Sequence, residues 1–366
     1  MNITIIGWRD ITHSQAGGAE NYITKVAESF VEHGHKVCFL TARESGQKKQ
    51  ETINGVEYIR SGNRFSIYVQ LPLLFLQRYK KNTDLLIEHY NAWPFLGPLL
   101  TRKTIAVMYH VQTEEWVAEF GQITGRVLSL ISRMLLAFIY RNTRIVTISR
   151  SSLKDITALG ISEQNIKIVP VGIPDNLIDK KRVSKDSKSI NLITIGRLKK
   201  HKRVDLIIKT LAAIKGKLNK TVKLYVLGKG DQEEELKKLA RDLKVRKMVT
   251  FCGYVDEETK RNFLDHAHLN LQFSQREGWG ITIIEAAARG VPSVGFTVPG
   301  LVDSITPETG YLIENEADIE SALLKILTDI ENQNEIYLSK SERGIEFARK
   351  FKWNDLLEYW NLYISK

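Results

Sequence analysis

Two glutamates with seven residues between them, Glu277 and Glu285, lie in the most informative stretch of the chain, SQREGWGITIIEAAARGVPSVGF at residues 274–296. It joins the end of a strand to the start of a helix. Gly278 and Gly280 fall where that helix should begin; glycine lets a backbone approach a ligand, and the unpaired amides and dipole of a helix start favour an anion. A diphosphate suits such an end. Glu277 precedes the helix and Glu285 lies one to two turns inside it, so the carboxylates are expected to meet different parts of one extended ligand. The bland alternative is an amphipathic helix with two surface glutamates.

A second cluster, GRLKKHKR at residues 196–203, holds Arg197, Lys199, Lys200, Lys202 and Arg203 without an acid. Phosphate is its natural guest, because preorganised cations stabilise the charge that develops on a departing diphosphate. The alternative is a solvated basic turn, which fits Lys199 and Lys200 best. No Asp-x-Asp motif occurs, so these cations rather than a divalent metal are expected to neutralise such a group, and no cofactor is called for. Near the N-terminus QAGGAE, residues 15–20, places Gly17 and Gly18 where a helix opens. It is not a GxGxxG fingerprint, and a Gly-Gly pair is often only a tight turn.

The elements that must position these residues form two series. Short apolar runs at residues 3–6, 37–40, 85–87, 104–108 and 144–148 alternate with helical patterns, and another series runs through residues 190–195, 222–227, 249–252, 269–273 and 292–296. Both read as parallel sheets covered on both faces. The polar stretch from Asp175 to Ser189 has the composition of a linker. The expected organisation is therefore an α/β protein: a first Rossmann-like domain at 1–175, a linker at 176–189, a second Rossmann-like domain at 190–345 and a helical tail at 346–366.

Glu277, Gly278, Trp279, Gly280 and Glu285, continued by Gly290, Pro292 and Val294, resemble the mark of the retaining GT-B glycosyltransferases of family 4, also known as glycosyl transferases group 1. The resemblance touches nearly the full length and is strongest between residues 190 and 312. It implies two Rossmann-like domains facing each other across a cleft, with the donor held by the second and the acceptor by the first. By resemblance Glu277 orients the donor sugar, Glu285 binds the ribose hydroxyls, and Arg197 and Lys202 hold the diphosphate. Gly17 and Gly18 meet the diphosphate from the other side, while Gly278, Trp279, Gly280 and Ile281 line the donor. Val255, in FCGYV, contacts the base, and His110, after the strand at 104–108, points at the sugar. A histidine at a strand end is more often structural. His13, His89 and Asn91 are weaker candidates for acceptor contact. VPVGI at 169–173 and the C-terminal FKWNDLLEYWNLY fit the same template, the last helices crossing back to the first domain.

The activity so implied is retaining transfer of a hexosyl unit from a UDP- or GDP-linked sugar to a glycan or lipid-linked acceptor, in cell-surface polysaccharide or glycolipid synthesis. A sugar phosphorylase or epimerase of the same architecture is the alternative.

Composition agrees with that class. The chain has 366 residues, beyond the roughly 250 to 300 that one core serves, so two domains are the default. A net charge of +11 points to anionic partners. No helix-turn-helix, zinc or aromatic-basic RNA signature accompanies it, so nucleic acid is not the expected partner. Arg126, Arg133, Arg141, Arg144, Arg150 and Lys154 occur among apolar residues without an acid, and residues 60–81 have the same character. Such stretches suit contact with an anionic membrane. The alternative is sheet-covering helices with solvated arginines. No export signal and no continuous spanning run is read, so the expected place is the cytoplasm, at the inner face of the cell membrane. Cys38 and Cys252 lie in apolar runs and read as structural thiols.

Overall fold

The computed structural model describes residues 1–91, 93–109, 111, 116–117, 120–178 and 188–364. The chain divides into two compact units, Met1–Val171 with Asn354–Lys366, and Gly172–Trp353.

The first unit contains β1 (Asn2–Gly7), β2 (Lys36–Thr41), β3 (Gln50–Ile53), β4 (Val56–Arg60), β5 (Leu85–Tyr90), β6 (Thr104–Met108), β7 (Arg144–Thr147) and β8 (Ile166–Ile168). They form one sheet in the order β3-β4-β2-β1-β5-β6-β7-β8. Every pairing is parallel except the β3–β4 hairpin. That hairpin turns through Asn54 and Gly55, both at positive φ (48° and 80°), the geometry an Asn-Gly pair tolerates best.

The sheet is apolar on both sides, as parallel strands covered by helices must be. On one face Ile6, Leu40 and Leu86 meet helix Ile67–Leu74, while Ala106, Met108 and Ile145 meet Leu136 and Tyr140 from helix Gln122–Ile139 and its end. Helix Gly18–Glu32 supplies buried Tyr22 and Phe30, which meet Trp360 of the C-terminal helix. The Trp360 indole donates to the Tyr22 hydroxyl at 2.8 Å, and that hydroxyl donates to the Val169 carbonyl at 3.0 Å.

The second unit contains β9 (Ser189–Ile195), β10 (Thr221–Leu227), β11 (Val249–Gly253), β12 (Leu269–Gln272), β13 (Ser293–Phe296) and β14 (Gly310–Ile313). These make an all-parallel sheet in the order β11-β10-β9-β12-β13-β14. Leu192, Leu224, Leu271 and Val294 pack with helices Val204–Ile214 and Ile319–Glu331. A separate cluster gathers Ile193, Leu227, Leu264, Ala286 and Val291.

The division falls earlier than the polar stretch suggests. A Cβ on Gly172 would lie 2.6 Å from the Trp353 ring, Ile173 bridges to Lys352, and the Arg289 guanidinium donates to the Leu177 carbonyl at 2.7 Å. Residues 172–178 therefore belong with the second unit, and 179–187 of the expected linker lie outside the described residues. That unit also runs past 345: Ser341 donates to the Gly290 carbonyl at 2.6 Å, tying helix Glu335–Ala348 to its core.

Candidate functional site

In the second unit the two motifs meet. β9 ends in Ile195, and the chain turns through residues 196–199 into a single turn, Lys200–Lys202, ahead of helix Val204–Ile214. Two glycines outside both motifs hold this turn. A Cβ on Gly228 would fall 1.9 Å from the Gly196 carbonyl oxygen, and one on Gly230 would fall 2.2 Å from that of Leu198. Only bare backbone fits there. Main-chain bonds close the contact, Gly196 N to Leu227 O and Leu198 N to Lys229 O, each at 2.9 Å.

β12 delivers the acidic loop to the same place. The Gln275 amide donates to the His201 carbonyl at 3.0 Å, and the Gln272 side chain donates to Ile195 O and to the Thr282 hydroxyl, both at 2.9 Å. Glu277 accepts from the Lys202 ammonium and, at 2.8 Å, from the buried Ser274 hydroxyl. Burial pushes its carboxyl up, but Lys202 and the Ser274 bond outweigh this and hold it below the ordinary carboxylate range. Arg197 is exposed, and its guanidinium has no partner among the described residues. Gly196, Arg197, Lys202 and Gln272 line one small cleft.

Helix Ile281–Ala288 starts from Gly280, whose φ of 76° is left-handed and favours glycine. Its first amides stand free of side-chain caps beside the acidic loop. Glu285 lies inside this helix, 4% exposed. One oxygen accepts from Lys260 of helix Glu257–His266 at 2.8 Å; the other is buried without a partner among the described residues. Burial is the largest influence on this carboxyl and raises it, against the pull of Lys260. A free acceptor lone pair inside the protein is costly unless a donor arrives, which marks Glu285 as a group waiting for a hydroxyl or water.

The remaining residues expected here divide by their side chains. Trp279 is buried with its ring 5.2 Å from that of Phe351, and its indole N–H has no partner among the described residues. Val255 packs on the cluster of Ile193 and Leu264, which leaves its main chain to meet a ligand. Ile281 is half-buried at the helix start. Arg203, counted with the cations, instead forks onto Glu316 at 2.5 and 3.2 Å, and Lys199 pairs with Asp231 at 2.7 Å. The sequence reading missed Ser274, Lys260 and the Gly228–Gly230 support, and it also missed Gly300. A Cβ on Gly300, at φ 83°, would lie 2.0 Å from the Glu277 carbonyl oxygen. The GKG spacing and the Pro-Gly pair were the available signals.

In the first unit Gly17 caps helix Gly18–Glu32, and its amide donates to Glu20 at 2.8 Å. Neither glycine has a positive φ, and a Cβ on Gly18 would meet nothing within 4 Å. The protein itself thus makes no steric demand for glycine at 18. Glu20 also accepts from Arg9 (3.2 Å) and from Asn91 (3.0 Å), a buried polar knot that the sequence did not reveal.

His89 is fully buried, edge-on to Tyr109, with neither ring nitrogen partnered among the described residues. It has no surface with which to touch an acceptor. Burial, with Arg9 adding and Glu20 opposing, pulls its imidazole down to about 4. His13 is half-buried, accepts from the Gln15 amide at 3.0 Å and lies 3.8 Å from Glu44. His110 lies outside the described residues.

Comparison with known proteins bears on the family and the fold. The family model for Glycosyl transferases group 1 matches residues 175–351, and that for Glycosyltransferase Family 4 matches residues 16–177. An uncharacterized glycosyltransferase of Methanocaldococcus jannaschii is 25% identical, covering 97% of this chain and 96% of its own. The phosphatidylinositol N-acetylglucosaminyltransferase gpi3 subunit of Schizosaccharomyces pombe is 21% identical over 95% of this chain and 77% of its own. Among solved structures, Anabaena HepE in complex with UDP superposes with a TM-score of 0.77 at 15% identity, covering 100% of both chains. With its two parallel-sheet α/β domains, the chain belongs to the GT-B glycosyltransferases of group 1, family 4.

Proposed function

We propose that this glycosyltransferase moves a hexosyl unit, with retention, from a UDP- or GDP-linked sugar to a glycan or lipid-linked acceptor in cell-surface polysaccharide or glycolipid synthesis, at the cytoplasmic face of the membrane. The observation that carries it is the Lys202–Glu277 ion pair, set beside Arg197, whose guanidinium has no partner among the described residues, and an uncapped helix start. A solved relative of the same fold holds UDP, and a curated relative bears a phosphatidylinositol acceptor in its name.

In this reading the acceptor hydroxyl attacks the anomeric carbon on the face the diphosphate leaves. The bond from that carbon to the diphosphate oxygen breaks with its electrons going to the diphosphate, the bond to the acceptor oxygen forms, and the acceptor proton passes to a diphosphate oxygen. Lys202 and Arg197, rather than a divalent metal, stabilise the growing charge. Glu277 exchanges Lys202 for hydroxyls of the sugar, and the unpartnered oxygen of Glu285 accepts from the ribose. The roles proposed for Gly17 and Gly18 toward the donor diphosphate, and for His110 toward its sugar, rest on the family resemblance.

A thermal-shift panel of nucleotide-sugars identifies the donor, because a ligand of the folded state raises Tm. Product NMR then reads the anomeric configuration; inversion overturns the retaining mechanism. Free nucleoside diphosphate appearing with a glycosylated acceptor separates transfer from phosphorolysis and epimerisation. Glu277→Ala and Lys202→Ala are expected to fold and lose transfer, and full turnover in either removes the assignment.

A further inference from the structure

Helix Gln122–Ile139 is built inside out. Its buried side consists of Gly125, Ser129, Ser132 and Leu136, mostly small or polar residues. A Cβ on Gly125 would lie 2.4 Å from the Trp116 carbonyl oxygen, and the Ser132 hydroxyl is 3.3 Å from that of Tyr90, so this side is held hard against the fold. Its outer side carries Ile123, Val127, Leu130, Met134 and Phe138, with Ile123 82% and Phe138 78% exposed. A helix covering a sheet in water has the reverse arrangement.

A second segment repeats the feature. Along residues 65–76, Ile67, Leu71 and Phe75 face the core, while Phe65, Val69, Leu73 and Leu76 are exposed. Leu99, on the short helix Gly97–Leu100, is 66% exposed.

Strand register puts these surfaces on one side of the first unit. Ile6 pairs with Leu40 and with Glu88, Glu88 with Ala106, and Ala106 with Ile145, so all five point to one face. Ile67 and Leu71 pack with Ile6 and Leu40, and Leu136 and Tyr140 pack with Ala106 and Ile145. The outward residues of both helices therefore look away from the sheet in the same direction.

Within these two segments the charge has one sign. No acid occurs between Glu57 and Asp84 or between Glu119 and Asp155. Arg64, Arg78, Lys80 and Lys81 are exposed beside the first segment, and Arg126 and Arg133, two turns apart, flank the apolar side of the long helix. Two arginines of these stretches face elsewhere: Arg60 is buried on Asp10 at 2.6 Å, and Arg144 lies against the Tyr363 ring.

We propose that this side of the first unit rests on an anionic lipid bilayer, with the apolar side chains at the acyl boundary and the flanking cations among the headgroup phosphates. By length and composition helix Gln122–Ile139 could cross a membrane, but its fixed inner side makes it lie on the surface instead. The proposal goes beyond sugar transfer and is tested without it.

Flotation of the full chain with vesicles of phosphatidylcholine, with and without phosphatidylglycerol, is the experiment. Binding is expected only with phosphatidylglycerol, weakened by salt. The triple variant Ile123→Ser, Val127→Ser and Phe138→Ser should keep its Tm and bind about tenfold or more weakly; Arg126→Gln with Arg133→Gln should lose the preference for anionic lipid. Equal indifference to both vesicles overturns the proposal. So does a dimer in solution that the triple variant makes monomeric while vesicle binding is absent, since the surface would then cover a second copy of the chain.

Discussion

The Lys260 ammonium lies 2.8 Å from one Glu285 oxygen, and it is the one charge partner this buried carboxylate has among the described residues. Burial already raises the Glu285 pKa and Lys260 opposes it, so Lys260→Met should raise it further. The ionised fraction at a given pH then falls, and donor binding should need a higher pH than in the wild type. Calorimetric titration of the donor across pH reads this as a displacement of the binding profile to higher pH, with recovery in Lys260→Arg. An unchanged pH profile in the methionine variant removes Lys260 from the site.

Gly300→Ala would press a methyl group on the Glu277 carbonyl at a left-handed backbone position. We expect a Tm lower by several degrees, and donor affinity that falls more than stability at working temperature accounts for. Gly216, also left-handed (φ 77°) but with open space around it, is the control, since Gly216→Ala carries the backbone strain without the displacement.

Gly18→Ala separates the two readings of the first glycine pair. The added methyl meets nothing and the φ is not strained, so Tm should hold or rise slightly. If the backbone there approaches the donor, KM for the donor rises several-fold with kcat little changed. An unchanged KM reduces the pair to a helix cap.

His89 predicts an acid-sensitive fold. Its imidazole falls from 6.5 to about 4 on burial, so the unfolded chain binds a proton in that interval that the folded chain does not. Stability present above pH 6.5 is lost as the pH drops towards 4, by up to about 3 kcal/mol. Urea unfolding of the wild type and of His89→Asn at pH 7 and at pH 4.5 measures it. Parallel curves in the two proteins would contradict this role.

Much of the second unit was legible in the sequence because its chemistry is local. Glu277 and Gly280 fall in one strand-to-helix connection and Glu285 in the helix it opens, which starts at Ile281, where the glycines predict. Lys260 was not legible: it is 25 residues from Glu285, and a lone lysine on a helix carries no sign of its partner. The Asn54–Gly55 hairpin was readable from its turn but lies between short, half-polar strands that lack a clear alternation. The cationic arginines were legible as a group and not individually. Which of them is buried, as Arg60 is on Asp10, depends on a contact 50 residues away in sequence.

The loop bearing Arg197 is fastened by main-chain atoms alone where Gly228 and Gly230 press against it. The path of the chain at Gly196 and Leu198 is therefore set without the Arg197 side chain between them. Arg197 can thus be exchanged for another side chain while the loop keeps its path, whereas a side chain at Gly228 or Gly230 would push that path away.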